Sequence, residues 1–302
     1  MSADSWSSML PAYAWQVTLH SCVLGVIFYA WAHHVRLPSG GTKRRLLAAL
    51  LVLPMLTAAV PGRSSVEFAE GMAWLNSGRI LAIPLPAGFL VRHAVALAGL
   101  MLVALTIWQE LLPALRRPLT IDAPVPESLA TFVRARPGWE RCAVALSPFR
   151  SVMLATGGVP RRPRLIVSRG AIESLSTAEL ETVVVHEHAH WGAGRWIELH
   201  ALFAVRLLQC YNPVALWVFR EYCVEMEIAC DAVAVSGRNP SMLARILLKI
   251  YESTDRRDVA ARASLKKRVD VLLGGGPADA ALPPVTMAAA CAVMALVLPW
   301  IV

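Results

Sequence analysis

Long apolar runs alternate with one extended mixed segment along this chain. The runs cover residues 12–35, 46–60, 87–112 and 281–302. About 20 apolar residues are needed to cross the hydrocarbon core of a bilayer. The first, third and fourth runs reach that length. The second is short and contains Pro54, so it could instead form a buried helix of a globular core. The pattern predicts a mainly α-helical polytopic membrane protein with about four transmembrane helices.

The mixed segment has the shorter periodicities of an α+β domain. Strands are predicted at Arg141–Leu146, Ser151–Thr156 and Arg164–Val167, with a turn at Gly157-Gly158. Helices are predicted over 127–135, from a cap at Ser176 or Thr177 to His190, and over 195–211, 213–235 and 240–255. We therefore expect an N-terminal membrane region with three spans (1–112), a polar domain (113–280) and a C-terminal span (281–302).

Composition and charge extend this picture. Hydrophobic residues make up 56% of the chain and charged residues 17%, whereas soluble domains carry about a quarter charged residues. The loop after the first run contains Arg36, Lys43, Arg44 and Arg45 without an acid, so the positive-inside rule places it in the cytoplasm. The N-terminus is then outside, and the polar domain is cytoplasmic. The net charge is +8, but the basic residues match no nucleic-acid-binding motif. The expected partner is therefore the lipid bilayer and not nucleic acid.

The candidate chemistry lies in His186-Glu187-His188-Ala189-His190. Residues four apart share one face of a helix, so His186 and His190 can direct imidazole nitrogens at one ion. Glu187 follows the first of these ligands and can act as general base on a metal-bound water. His188 should face elsewhere. The spacing therefore predicts a catalytic zinc centre.

A catalytic zinc ion takes a third protein ligand. A metzincin would need Gly at position 193 and His at position 196, where this chain has Ala193 and Trp196. A glutamate on a later helix is the other common solution, and both Glu225 and Glu227 are available. Glu227 is the better candidate, because it forms Glu-x-x-x-Asp with Asp231 on one helix face. Asp231 could then accept a hydrogen bond from a ligand imidazole and orient it.

These motifs resemble those of the BlaR1/MecR1-type membrane zinc metallopeptidases, the M56 peptidases, which are gluzincins. The resemblance covers 161–235, and its matching pieces are Pro163–Ser168, Leu175-Ser176, His186–His190, Tyr211–Pro213 and Arg220–Asp231. It implies a cytoplasmic α+β gluzincin-type zinc peptidase domain between spans three and four of a bacterial inner-membrane protein. It also implies Zn²⁺ as cofactor, Glu227 as third ligand and Asp231 as the residue that orients a ligand histidine.

Two positions differ from that family. Members commonly carry an Asp about five residues beyond the second histidine, where this chain has Arg195. The antibiotic receptors continue after the last span into a penicillin-binding domain, whereas this sequence ends at Val302. We therefore expect no β-lactam sensing by such a domain.

The resemblance implies limited proteolysis of a cytoplasmic regulator, such as a BlaI-like repressor, or of the chain itself. An alternative within the same class is a maturation protease for a small peptide precursor. An alternative of another class is a non-enzymatic membrane receptor or scaffold that retains the zinc fold. Glu187 argues against this last alternative, because a protein without activity has no need of the general base.

Overall fold

The computed structural model describes residues 3–34, 37, 39–59, 97, 100–101, 103–108, 112, 120–121, 124–159, 162–253 and 259–274. Within these ranges the α-helices are α1 (Ala3–His34), α2 (Gly41–Ala59), α3 (Glu127–Arg134), α4 (Arg169–Ser174), α5 (Thr177–Trp191), α6 (Arg195–Leu208), α7 (Pro213–Ala234), α8 (Pro240–Ser253) and α9 (Val259–Leu273). The strands are β1 (Ala143–Ser147), β2 (Leu154–Val159) and β3 (Arg162–Ser168), and a 3₁₀ turn at Gly192–Gly194 joins α5 to α6. Helices α4 and α9 were not predicted.

The three strands form one sheet in the order β1-β3-β2. β1 runs parallel to β3 and β2 runs antiparallel to it, so β2 is an edge strand among the described strands. The predicted turn at Gly157-Gly158 is wrong, because both glycines lie within β2 and pair with Arg164 and Pro163. Gly158 has a φ of 93°, and a Cβ there would collide with the carbonyl oxygen of Arg162. Glycine is therefore needed at this position to continue the strand.

One hydrophobic core lies between the sheet and helices α5, α8 and α9. Leu165 and Val167 of β3 meet Val184 of α5 and Ile246 of α8, and all four side chains are fully buried. The sheet thus supports the back of α5, and α5 carries the histidine motif. This placement fixes the motif relative to edge strand β2.

A second core joins the N-terminal helices to α7. Leu24 of α1 and Leu47 of α2 are fully buried with Val218 and Tyr222 of α7. A polar contact also joins α1 to α2, since the Nδ1 atom of His20 lies 2.8 Å from the Thr57 hydroxyl oxygen. Helices α1 and α2 therefore pack on the element that carries Glu227.

The predicted polytopic membrane fold is wrong for the described part of the chain, which is an α+β fold. None of the described helices combines the length and the apolar character needed to cross a bilayer. The first two apolar runs lie in α1 and α2, where their leucines pack against α7. The fourth run (281–302) and most of the third (87–112) lie outside the described residues.

Two basic residues that had been used to orient the membrane spans have partners within the chain. The Lys43 Nζ atom lies 2.9 Å from Glu225 Oε1, and the Arg44 Nη1 atom lies 2.9 Å from Glu198 Oε2. These ion pairs attach the start of α2 to α7 and α6. Two of the four basic residues of this loop are therefore paired with acids inside the protein.

Candidate metal centre

Helix α5 presents the two predicted histidine ligands on one side. Ser176 caps the helix and its middle is buried, so the last two turns are held in place before the chain bends at the Gly192–Gly194 turn. The Nε2 atoms of His186 and His190 lie 3.2 Å apart. Their spacing of four residues therefore brings both imidazoles to one point, as expected from helical geometry.

Helix α7 brings Glu227 to the same point. Its Oε2 atom lies 3.3 Å from His186 Nε2, and its Oε1 atom lies 3.3 Å from His190 Nε2. One ligand atom from each of the three residues can be chosen so that all lie within 4.8 Å of one another. Two imidazole nitrogens and one carboxylate oxygen form a donor set that fits a divalent ion such as zinc.

Asp231 lies one helical turn after Glu227 on α7. Its Oδ1 atom is 2.9 Å from the Nδ1 atom of His186, and its side chain is almost fully buried. A carboxylate in this place can hold an imidazole ring so that its Nε2 atom faces the other two donors. The sequence had predicted this role for Asp231, and the geometry is compatible with it.

The electrostatics of the cluster reflect its burial and the ionisable side chains that surround it. Burial by itself would lower the pKa of His186, but the carboxylates of Asp231 and Glu227 raise it to about 9. Burial also opposes protonation of His190, whose pKa is raised to about 11 by Cys230 and Glu227. Against the effect of burial, both histidines and Arg268 hold the pKa of Glu227 well below its usual range. The carboxylates thus favour positive charge on the histidines, and the histidines and Arg268 favour the ionised form of Glu227.

Arg268 of α9 is the residue that sequence reasoning missed. Its Nη1 atom lies 2.9 Å from Glu227 Oε2, and its Nε and Nη2 atoms donate to the two carboxylate oxygens of Asp231 at 2.7 Å each. The sequence indicated helix α9 only weakly. Leu265, Val269 and Leu272 have the spacing of one helix face, but they lie among basic residues. Those apolar side chains pack on the core beside the sheet and bring Arg268 to the centre.

A cavity of about 490 Å³ opens beside the donor atoms. Strand β2 forms one wall, Trp196 and His200 of α6 form another, and leucines and isoleucines of α8 make an apolar surface. Glu187 also lines the cavity. Burial raises the pKa of the Glu187 carboxyl, while the two histidines and the Thr156 hydroxyl act in the opposite direction. The Glu187 carboxyl therefore lies in the same cavity as the three donors and strand β2.

Three other positions singled out from the sequence, His188, Glu225 and Arg195, are not among the donors of this cluster. The Nε2 atom of His188 lies 3.0 Å from the Pro137 carbonyl oxygen, and its ring packs edge-on against Trp139. Glu225 makes its contacts with Lys43 and Lys267 and not with the histidines. Arg195, at the position where an Asp had been expected, lines the cavity and donates to the Ala189 carbonyl oxygen.

The sequence is similar to a known protein family. A family model described as BlaR1 peptidase M56 matches residues 6–272. The match begins within α1 and ends within α9, so it includes every described residue of the candidate centre. A search of curated proteins finds no match to this chain.

Proposed function

Because the chain belongs to the BlaR1 peptidase M56 family, we propose that it is a zinc metalloendopeptidase of the gluzincin type. His186, His190 and Glu227 would hold the ion. The observation that carries the proposal is the convergence of these three donors from two helices beside Glu187, at the wall of one cavity. Membership of a metallopeptidase family agrees with peptide-bond hydrolysis as the activity.

Zinc, when bound, supplies Lewis-acid chemistry, since it polarises a peptide carbonyl and lowers the pKa of water. Glu187 would accept a proton from the attacking water at its carboxylate and donate it to the nitrogen of the leaving amine. Asp231 would keep His186 oriented through the Nδ1 atom. The raised pKa of Glu187, caused mainly by burial, suits a group that must both take up and release a proton.

Edge strand β2 supports a polypeptide as the substrate. Residues 154–158 of β2 line the cavity, and the strand pairs with β3 on one side. An extended peptide can add to an exposed sheet edge through main-chain hydrogen bonds. A substrate bound in this way would lie across the cavity that contains Glu187.

The substrate of the proposed peptidase is a protein. The likeness to BlaR1-type peptidases favours limited proteolysis of a regulator protein, such as a BlaI-like repressor, or of the chain itself. The acidic side chain at Glu187 favours an enzyme over a scaffold that merely binds zinc. Incubation of the purified chain with a repressor, followed by mass spectrometry of fragments, tests this target.

The catalytic assignment is tested with Glu187→Gln in the full chain. This change removes the proton acceptor but none of the three donors, so we expect cleavage to fall about 10²- to 10⁴-fold while zinc content stays the same. A chelator should abolish the wild-type cleavage, and added zinc should restore it. Cleavage of a fluorogenic peptide library and metal analysis give the two readings.

Glu173→Gln is a suitable control, because Glu173 is exposed on α4 and pairs only with Arg169 among the described contacts. It should cleave at the wild-type rate. Undiminished cleavage by zinc-loaded Glu187→Gln would contradict the assigned role of Glu187. Absence of bound zinc in the wild type would contradict the metal centre itself.

A further inference from the structure

The guanidinium of Arg268 connects two acids that have different tasks in the proposed centre. All three of its nitrogens are engaged, one with Glu227 and two with Asp231. The Arg268 side chain is 11% exposed and that of Asp231 only 1% exposed. The Glu227 side chain is 31% exposed. The Arg268 cation contacts both carboxylates and so offsets the repulsion between them, most of all on the side of buried Asp231.

The contact with Glu227 is made on one particular oxygen. Arg268 Nη1 lies 2.9 Å from Oε2, while Oε1 of the same carboxylate faces the Nε2 atom of His190 at 3.3 Å. The arginine therefore restricts rotation of the carboxylate about its terminal bond. Its planar fork, which binds Asp231 through two nitrogens, gives a fixed orientation that a lysine ammonium does not provide.

We propose that Arg268 is a positioning residue of the metal centre, which orients Glu227 as a ligand and Asp231 as the support of His186. The inference rests on the proposed zinc site. It makes α9 a part of that site, although Arg268 lies 37 residues beyond Asp231 in the sequence. Arg268 acts through the two acids and has no assigned contact with the substrate.

Helix α9 has other attachments that do not involve Arg268. Lys267 binds Glu221 and Glu225 at 3.1 Å each, and Leu265 is buried in the core beside the sheet. Because these contacts remain when Arg268 is replaced, we expect α9 to stay docked in the variants. The effect of a replacement should then appear at the metal.

The experiment compares the full chain with Arg268→Ala, Arg268→Lys and the control Lys266→Ala. Lys266 is exposed on the same helix. Circular dichroism checks folding, and competition with a chromophoric chelator gives the zinc dissociation constant. The absorption spectrum of the cobalt-substituted protein reports the ligand geometry. Loss of a residue that orients ligands typically weakens metal affinity about 10- to 100-fold.

We expect Arg268→Ala to lose affinity in that range with an altered cobalt spectrum. Arg268→Lys should lie between it and the wild type, and Lys266→Ala should equal the wild type. If folded Arg268→Ala and Arg268→Lys bind zinc as the wild type does, with the same spectrum, Arg268 does not position the ligands. If both variants unfold with or without zinc, its role is structural and the inference is wrong. A wild type that binds no zinc would instead overturn the proposed function.

Discussion

Glu225 and Glu227 show how two acids on one helix acquire different surroundings. Residues two positions apart on a helix do not face the same side. Glu227 is directed at the histidines of α5, whereas Glu225 is directed at the start of α2 and at α9. The Glu225 side chain is 0% exposed, and it accepts a hydrogen bond from the Gly40 backbone at 2.8 Å. Glu225 is therefore a buried structural acid, bound to Lys43 and Lys267.

Replacement of Glu225 should separate stability from metal binding. In Glu225→Ala, Lys43 and Lys267 lose a common buried partner and the Gly40 N–H loses its acceptor. We expect this to cost about 1 to 3 kcal/mol in the free energy of unfolding. Urea denaturation measures this loss. The folded fraction should still bind zinc with the affinity of the wild type.

Glu221→Ala is the matched control, because Glu221 is 33% exposed and binds only one of these two lysines in the described contacts. Its cost should stay below about 1 kcal/mol. If Glu225→Ala folded with full stability but had lost zinc, the assignment of the third ligand to Glu227 would be wrong.

At the scale of elements, the start of α5 is stabilised both locally and by a neighbour. The backbone N–H of Ser176 donates to Glu179 Oε2 at 2.9 Å, and the Glu179 N–H donates to the Ser176 hydroxyl oxygen, which completes a capping box. The Lys249 Nζ atom of α8 lies 3.0 Å from Glu179 Oε1. The helix that carries the histidines is thus fixed at its first turn by groups that the sequence places there.

The pH dependence of Glu179→Ala tests this first turn. Burial opposes ionisation of Glu179, but the Ser176 N–H and Lys249 together lower its pKa. Since folding lowers the pKa of Glu179, the contribution of this side chain to the free energy of unfolding is complete above the carboxyl pKa of the unfolded chain, about 4.3. It is lost as the pH falls through the folded value. We therefore expect a deficit of about 1 kcal/mol at pH 7 that shrinks below about pH 4.

Thermal unfolding of wild type and variant from pH 3 to pH 7 provides the measurement. Glu252→Ala serves as the control, because Glu252 is exposed on α8. It should unfold like the wild type throughout. A deficit that increased toward acid pH would show that Glu179 contributes in its protonated form, contrary to this account.

At the scale of the whole molecule, the N-terminal helices and the metal centre share a core. Val218 and Tyr222 of α7 pack on α1 and α2, and Glu227 follows on the same helix. Ion pairs from Lys43 and Arg44 strengthen this attachment. The position of the third donor therefore depends on packing that begins near the start of the chain.

Leu47→Ala tests that dependence. Leu47 of α2 is 0% exposed, and removal of a buried leucine side chain costs about 2 to 5 kcal/mol through lost apolar burial and the cavity left behind. Leu56 of the same helix is 59% exposed, so Leu56→Ala should change stability by less than about 0.5 kcal/mol. Urea denaturation of the full chain compares the two. Equal effects would mean that α2 does not pack on α7 as described.

Several local features could be predicted because their causes lie within a few residues. The motif helix, the cap at Ser176 and the start of α7 after Asn212 follow from helical spacing and from side chains that cap their own helix. The family prediction is confirmed by the match over residues 6–272. Strand ends were predicted less accurately. Gly157-Gly158 was assigned to a turn because glycine is common in turns, whereas Gly158 takes its positive φ within β2.

The sequence by itself determined the histidine pair, the acid between them and the Glu-x-x-x-Asp face, because spacing along a helix sets which side chains share a side. Only the tertiary structure decided what meets those side chains. An apolar run must be buried, but its sequence does not specify whether lipid or another helix buries it, and here the leucines of α1 and α2 pack on α7. Arg268 reaches Glu227 and Asp231 only because α9 folds back onto α7. Such a contact depends on packing between distant segments, and no local pattern encodes it.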